Sequence, residues 1–136
     1  LWINPLQTAL DHVDRILVPG GTLIALEPDY EGMIEYPPEI AVKDLWCKGL
    51  SKAGADPYIG RKLPGLLASR GFDVHVGLFD TLYVPHPARL DFLTDLPFTT
   101  KERQRLDRVA FEISLRNQPW SQVAHLPFFL ITATKQ

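Results

Sequence analysis

Apolar residues along this chain recur with two periods, one helical and one strand-like, and prolines and glycines punctuate them. Leu6, Leu10, Val13 and Leu17 share one helical stripe, widened by Ala9 and Ile16, and predict a first helix. Asn4-Pro5 gives it an opening, since Asn can cap free amides and Pro at the first helical position loses no needed donor. Pro19-Gly20-Gly21 ends that helix and turns the chain. Thr22 to Glu27 is then nearly continuous in apolar character, which predicts a strand buried on both faces. Pro37-Pro38 opens a second helix running to about Ala53, with Val42, Leu45, Trp46 and Leu50 on its inner side. A third helix lies within Asp56 to Arg70. Pro64 places its regular part from about Lys62, after a turn over Asp56 to Gly60, and Gly71 closes it.

The second half continues the alternation. Val74 to Val84 reads as a long strand whose phase changes between Leu78 and Phe79, which predicts a bulge near Gly77. Pro85 and Pro87 end it. Thr99 and Glu102 have capping-box spacing, so a helix is expected from there to about Asn117, with Leu106, Val109, Ala110 and Ile113 facing inward. Pro119 breaks it. Leu126 to Thr134 is the last strand, entered through Pro127, which cannot donate to a ladder and suits a strand end. No repeat, low-complexity tract or linker interrupts the sequence, so residues 1–136 are expected to form a single unit of α/β class.

Composition narrows the function classes. The 136 residues are 46% hydrophobic with a formal charge of −2, an ordinary globular balance that gives no electrostatic reason to expect nucleic acid. No apolar run reaches the roughly 18 residues of a membrane span, and no secretory signal is visible. Cys47 is the only cysteine, so no internal disulfide can form, and a reducing, cytoplasmic setting is expected. His12, His75, His86 and His125 show no metal-ligand spacing, so no metal site is expected. The basic run Lys101, Arg103, Arg105 and Arg108 is interrupted by Glu102 and Asp107 and reads as a solvated helix face. No nucleophile elbow surrounds Ser51, Ser69, Ser114 or Ser121. The chain opens on Leu1 and Trp2 rather than Met, which reads as a cut through a longer sequence.

Several stretches together carry a resemblance. Arg15-Ile16-Leu17-Val18-Pro19-Gly20-Gly21-Thr22-Leu23 resembles the "R-x-L-x-P-G-G-x-L" segment that leads into strand five of class I S-adenosylmethionine-dependent methyltransferases. Leu1-Trp2-Ile3 looks like the end of the family's "L-h-W" stretch beyond strand four. Gly60-Arg61-Lys62-Leu63, followed by Gly71-Phe72, is similar to the "G-R-x-L" helix and "G-F" step into strand six. Phe128 to Lys135 looks like the antiparallel strand seven. The resemblance spans essentially the whole chain in the right order. It implies a partial Rossmann-like methyltransferase fold: strands five, seven and six side by side, strand seven antiparallel between the others, with flanking helices.

The same resemblance implies a parent enzyme that methylates a small-molecule acceptor with S-adenosylmethionine as cofactor. The family's "G-x-G" turn after strand one is missing here: Gly20-Gly21 precedes its strand, and Gly54, Gly60 and Gly65 lie in or beside helices. The cofactor-binding half is therefore expected to be absent, with no cofactor bound by this chain and no activity from it alone. Glu27, Asp29 and Tyr30 stand where the strand after Pro-Gly-Gly leaves the sheet, an edge that faces the ligand crevice in open α/β sheets. There they would position an acceptor or take its proton; the alternative is that they solvate a loop. Tyr58 and Arg61 would line a substrate pocket, or else Arg61 pairs with a nearby carboxylate. Trp2 and Asn4 would lie near the cofactor in a complete enzyme. Two other classes remain open. One is a non-catalytic interaction module, because cutting the sheet there leaves a bare strand edge that invites a homo-oligomer. The other is an independent small-molecule-binding α+β domain.

Overall fold

In the computed structural model, which describes residues 2–136, α1 (Leu6–Ile16) leads into β1 (Thr22–Pro28). The short β2 (Ile34–Tyr36) precedes α2 (Lys43–Lys52) and α3 (Ile59–Ala68), and β3 (Phe72–Phe79) follows. Two further helices, α4 (Asp91–Thr94) and α5 (Thr100–Ser114), precede β4 (Val123–His125) and β5 (Phe128–Lys135). Leu1, the start of the Leu1-Trp2-Ile3 stretch, lies outside the described residues. The chain is thus a mixture of helices with antiparallel-paired strands. The main sheet has the order β1-β5-β3, with the last strand central and antiparallel to both neighbours. That is the order and direction expected above for these three strands.

Two cores explain why the chain folds this way. In the first, α1 and α3 lie on one face of the main sheet, where Leu10, Leu63 and Leu67 meet Phe72, Ile131 and Ala133. Ile131 sits mid-sheet opposite Ala25 on one side and Val76 on the other, fully enclosed. Burying a side chain of that size stabilises by about 1.5–3 kcal/mol. The second core is built from the insertions that follow β1 and β3. Ile40, Val42, Leu45 and Leu50 pack against Leu93, Leu96, Phe98 and Leu106. The two-stranded ladder of β2 with β4 ties these insertions together, pairing Ile34 with His125 and Tyr36 with Val123. Gly71 takes φ +83° at the end of α3, the left-handed cap its position demanded.

Several expectations are corrected. Pro5, not Asn4, occupies the cap position of α1, and no side chain caps that helix; Asn4 lies one residue too early. The helix expected from Pro37-Pro38 is split into a 3-10 turn, Pro38–Ile40, and α2. The cause is Glu35, whose carboxylate accepts from the Val42 and Lys43 amides at 3.0 Å and starts a fresh helix there. The third helix begins at Ile59, with Pro64 inside it. Asp56 Oδ1 accepts from the Tyr58 amide at 2.9 Å, so a side-chain turn launches the helix ahead of the proline.

The strands also differ from expectation. β3 pairs with β5 in unbroken register through Gly77, so there is no bulge, and it stops at Phe79. Its partner runs out there, because Phe79 faces Phe128, the first residue after Pro127 and Leu126. β1 is not buried on both faces. Its residues alternate, and Ile24 and Leu26 are 67% and 55% exposed on the side away from α1 and α3. On α5 the capping box is formed as expected, but the helix ends at Ser114, and Ala110 is exposed rather than inward.

Candidate functional site

The insertions after β1 and β3, together with Trp2, line a half-open cavity of about 640 Å³. Such a volume suits a small organic molecule. Tyr30, Trp46 and Met33 form one side, and Phe92, Arg89 and His125 contribute from the other insertion and from β4. Tyr30 follows β1 directly and is buried; its ring lies 5.1 Å from that of Trp46, tilted by 35°. Burial, with Cys47 and Glu27 nearby, pushes the Tyr30 hydroxyl above its usual titration range. It therefore stays protonated and can donate a hydrogen bond but cannot act as a base near neutral pH. Trp2 also lines this cavity and is largely exposed.

Polar groups around the cavity are mostly committed. Arg89 pairs with Glu35 at 3.5 Å and donates to the Ile40 carbonyl at 3.2 Å. Burial pulls its guanidinium below its usual value, with Glu35 opposing. Glu35 is 4% exposed in its side chain and is already engaged in starting α2. Arg89 Nε and His125 Nε2 are enclosed without a hydrogen-bond partner among the described residues. Asp95, at the end of α4, is exposed and reaches the same cavity.

The strand-end residues singled out by sequence divide among different places. Asp29 is only 6% exposed and is clamped by Arg61, with Nε to Oδ1 at 2.7 Å and Nη2 to Oδ2 at 2.9 Å. Its hydrogen bonds raise the Arg61 guanidinium further above its already high value. Gly32 stays small because a Cβ there would overlap Asp29 Oδ2. The pair fastens the end of β1 to the first turn of α3, so the structural alternative for Arg61 is the one found, and Asp29 is its partner. Glu27 and Asn4 meet instead at a second, smaller cavity of about 340 Å³, between α1, β1 and the start of α3. Tyr58 lines neither cavity; Lys62 Nζ lies 5.8 Å from its ring centroid, and nearby Cys47 is the main cause raising its hydroxyl above the usual value.

Sequence reasoning missed Met33, Arg89, Phe92 and Asp95, and set His125 aside as a residue beside a proline. They come from separate segments, and only the docking of one insertion on the other brings them together. Trp46 was legible as a buried position but not as a cavity wall. Among the described residues, no Ser, Thr or Cys lines the cavity; Cys47 lies behind its wall, with Sγ donating to Glu31 Oε2 at 3.9 Å. Burial raises the Cys47 thiol, which leaves it a poor nucleophile near neutral pH. Among the described residues no three His, Cys, Asp or Glu side chains converge as a metal site would require. No helix among them is long and apolar enough to cross a membrane.

The residues present do not fit an S-adenosylmethionine site of the usual kind. That site needs a glycine-rich turn between a strand and a helix N-terminus. Here β1 is followed by Asp29-Tyr30-Glu31-Gly32, with Gly32 pressed on Asp29, and Gly60 packs against Phe129 and Glu27 within α3. What the arrangement can do is hold an organic molecule between two insertions at the carboxyl end of β1. No family model matches the chain, and no curated protein matches it.

Proposed function

We propose that this chain is the C-terminal part of a class I S-adenosylmethionine-dependent methyltransferase of Rossmann-like fold acting on a small metabolite, and that it is inactive alone. The observation that carries this reading is the sheet. A strand entered through Pro19-Gly20-Gly21 and a strand entered through Gly71-Phe72 run the same way, and the final strand lies antiparallel between them. The motifs and the strand order are independent features, one local and one global, and they agree. The cavity supports the same reading, because it lies just past the carboxyl end of β1, where open α/β sheets bind their ligands. In this reading the chain's own share of the chemistry is to hold the methyl acceptor in line and keep it dry. Cofactor recognition is assigned to residues preceding this sequence.

Calorimetric titration with S-adenosylhomocysteine tests the division of labour. The 136-residue chain should give no binding heat, whereas the product of the longer coding sequence should bind it and transfer radiolabelled methyl groups. Micromolar binding by the short chain, or upstream sequence lacking a strand and glycine-rich turn, would sink the proposal. A second reading, an association module, is favoured by a separate observation: among the described residues no strand pairs with the outer side of β1.

A further inference from the structure

We infer that the cavity between the two insertions takes an uncharged, flat aromatic molecule. This assignment deepens the reading of that cavity as the acceptor site and rests on it. Two observations point to this class of ligand. The first is the wall: Tyr30 and Trp46 pack into one aromatic surface, and the 77%-exposed Phe92 stands at the same cavity with nothing apolar covering it. Aromatic rings pack best against other rings in offset or tilted arrangements, worth about 0.5–1.5 kcal/mol beyond their buried area.

The second observation is the balance of charge. The Arg89 cation is neutralised by Glu35 at 3.5 Å, so it offers an anion little net attraction. The Asp95 carboxylate is exposed, so water solvates it and screens its attraction for a cation. The Tyr30 hydroxyl is neutral near neutral pH. A charged ligand would give up part of its hydration against the aromatic wall, with no buried, unpaired opposite charge there to replace it. An uncharged ring loses little and gains the aromatic wall.

Three naphthalenes of similar size separate the possibilities by calorimetry on this chain near neutral pH: 2-naphthol, 2-(aminomethyl)naphthalene and 2-naphthoate. The neutral ring should bind at least ten-fold more tightly than either charged analogue. Phe92→Ala should weaken 2-naphthol binding several-fold, and the exposure of Phe92 makes this change benign to folding, which circular dichroism checks. Equal or tighter binding of the ammonium or carboxylate analogue, or no binding of 2-naphthol at its solubility limit, would overturn the inference. These outcomes leave the methyltransferase reading standing, because that depends on methyl transfer by the longer protein. Conversely, a longer protein without transfer activity would not alter ring binding by this chain.

Discussion

A carboxylate as enclosed as Asp29 has its hydrogen-bonding needs met because Arg61 reaches both of its oxygens. The partner is different in kind: the Arg61 side chain is about half exposed, so part of the attraction is screened by water. Removing Arg61 therefore leaves a buried acceptor without its donors rather than deleting a fully buried pair. Arg61→Ala should cost about 1–3 kcal/mol in urea unfolding. Arg61→Lys should recover only part of this, since an ammonium cannot reproduce the two-pronged geometry. In the Asp29→Asn background, Arg61→Ala should cost clearly less than in the wild type, because the ionic part has already gone. Additive effects of the two substitutions would mean that the pair contributes nothing as a pair. Because these residues hold β1 to α3 and do not line the larger cavity, Arg61→Ala is expected to lower stability without selectively weakening ring binding.

Among the elements, α5 shows what local sequence can specify. Thr99 Oγ1 accepts from the Glu102 amide, and Glu102 Oε2 accepts from the Thr99 amide at 2.8 Å, closing the box that the spacing announced. Lys52 Nζ, from α2, reaches the same carboxylate at 2.7 Å. Lys52, followed by the Thr99 amide and hydroxyl, lowers the Glu102 carboxyl from 4.5 to about 2. A depressed folded-state value means that the stabilisation is complete above pH 4.5 and fades as pH falls towards 2. Thermal melts across that window should show a shallower acid loss in Glu102→Gln than in the wild type; parallel curves would remove Glu102 from the acid response. Elements whose limits depend on distant partners were less legible. β3 was expected to run on to Val84 because Leu82, Tyr83 and Val84 continue the apolar pattern, yet it stops where Phe128 begins its partner strand. The Pro37-Pro38 helix was split by Glu35, a residue outside the segment being read. Of the cavity's lining, Tyr30 was singled out because it stands at a strand end, whereas Trp2 was expected near a cofactor and lines this cavity instead. Arg89, Phe92 and Asp95 carried no local signal, since a cavity wall shared by two insertions is a property of their docking.

At the scale of the whole molecule, the main sheet has one covered face, one open face and two unequal edges. β3 carries the Asp73 carboxylate and the polar His75 ring on its open side, 3.5 Å apart and well exposed, and such polar groups discourage pairing with another chain. β1 has no comparable guard. Its open side presents Ile24 and Leu26, while Glu27 faces the helices, and its outer backbone has no partner strand among the described residues. Backbone donors and acceptors beside exposed apolar side chains form a template for another strand, and in a solution of this chain the available strand is β1 of a second copy. Self-association should therefore rise with concentration in sedimentation velocity and proceed through β1. Leu26→Lys should shift it towards monomer by placing a charge in the seam, whereas His75→Lys on the opposite edge should not. A wild type that stays monomeric at high concentration, or a Leu26→Lys variant that associates equally well, would rule out this edge. The same edge also links the two functional readings. If the preceding sequence supplies a neighbouring strand, as a methyltransferase domain requires, it will occupy β1 itself. The longer protein should then not pair through β1, and Leu26→Lys there should cost folding stability instead of association.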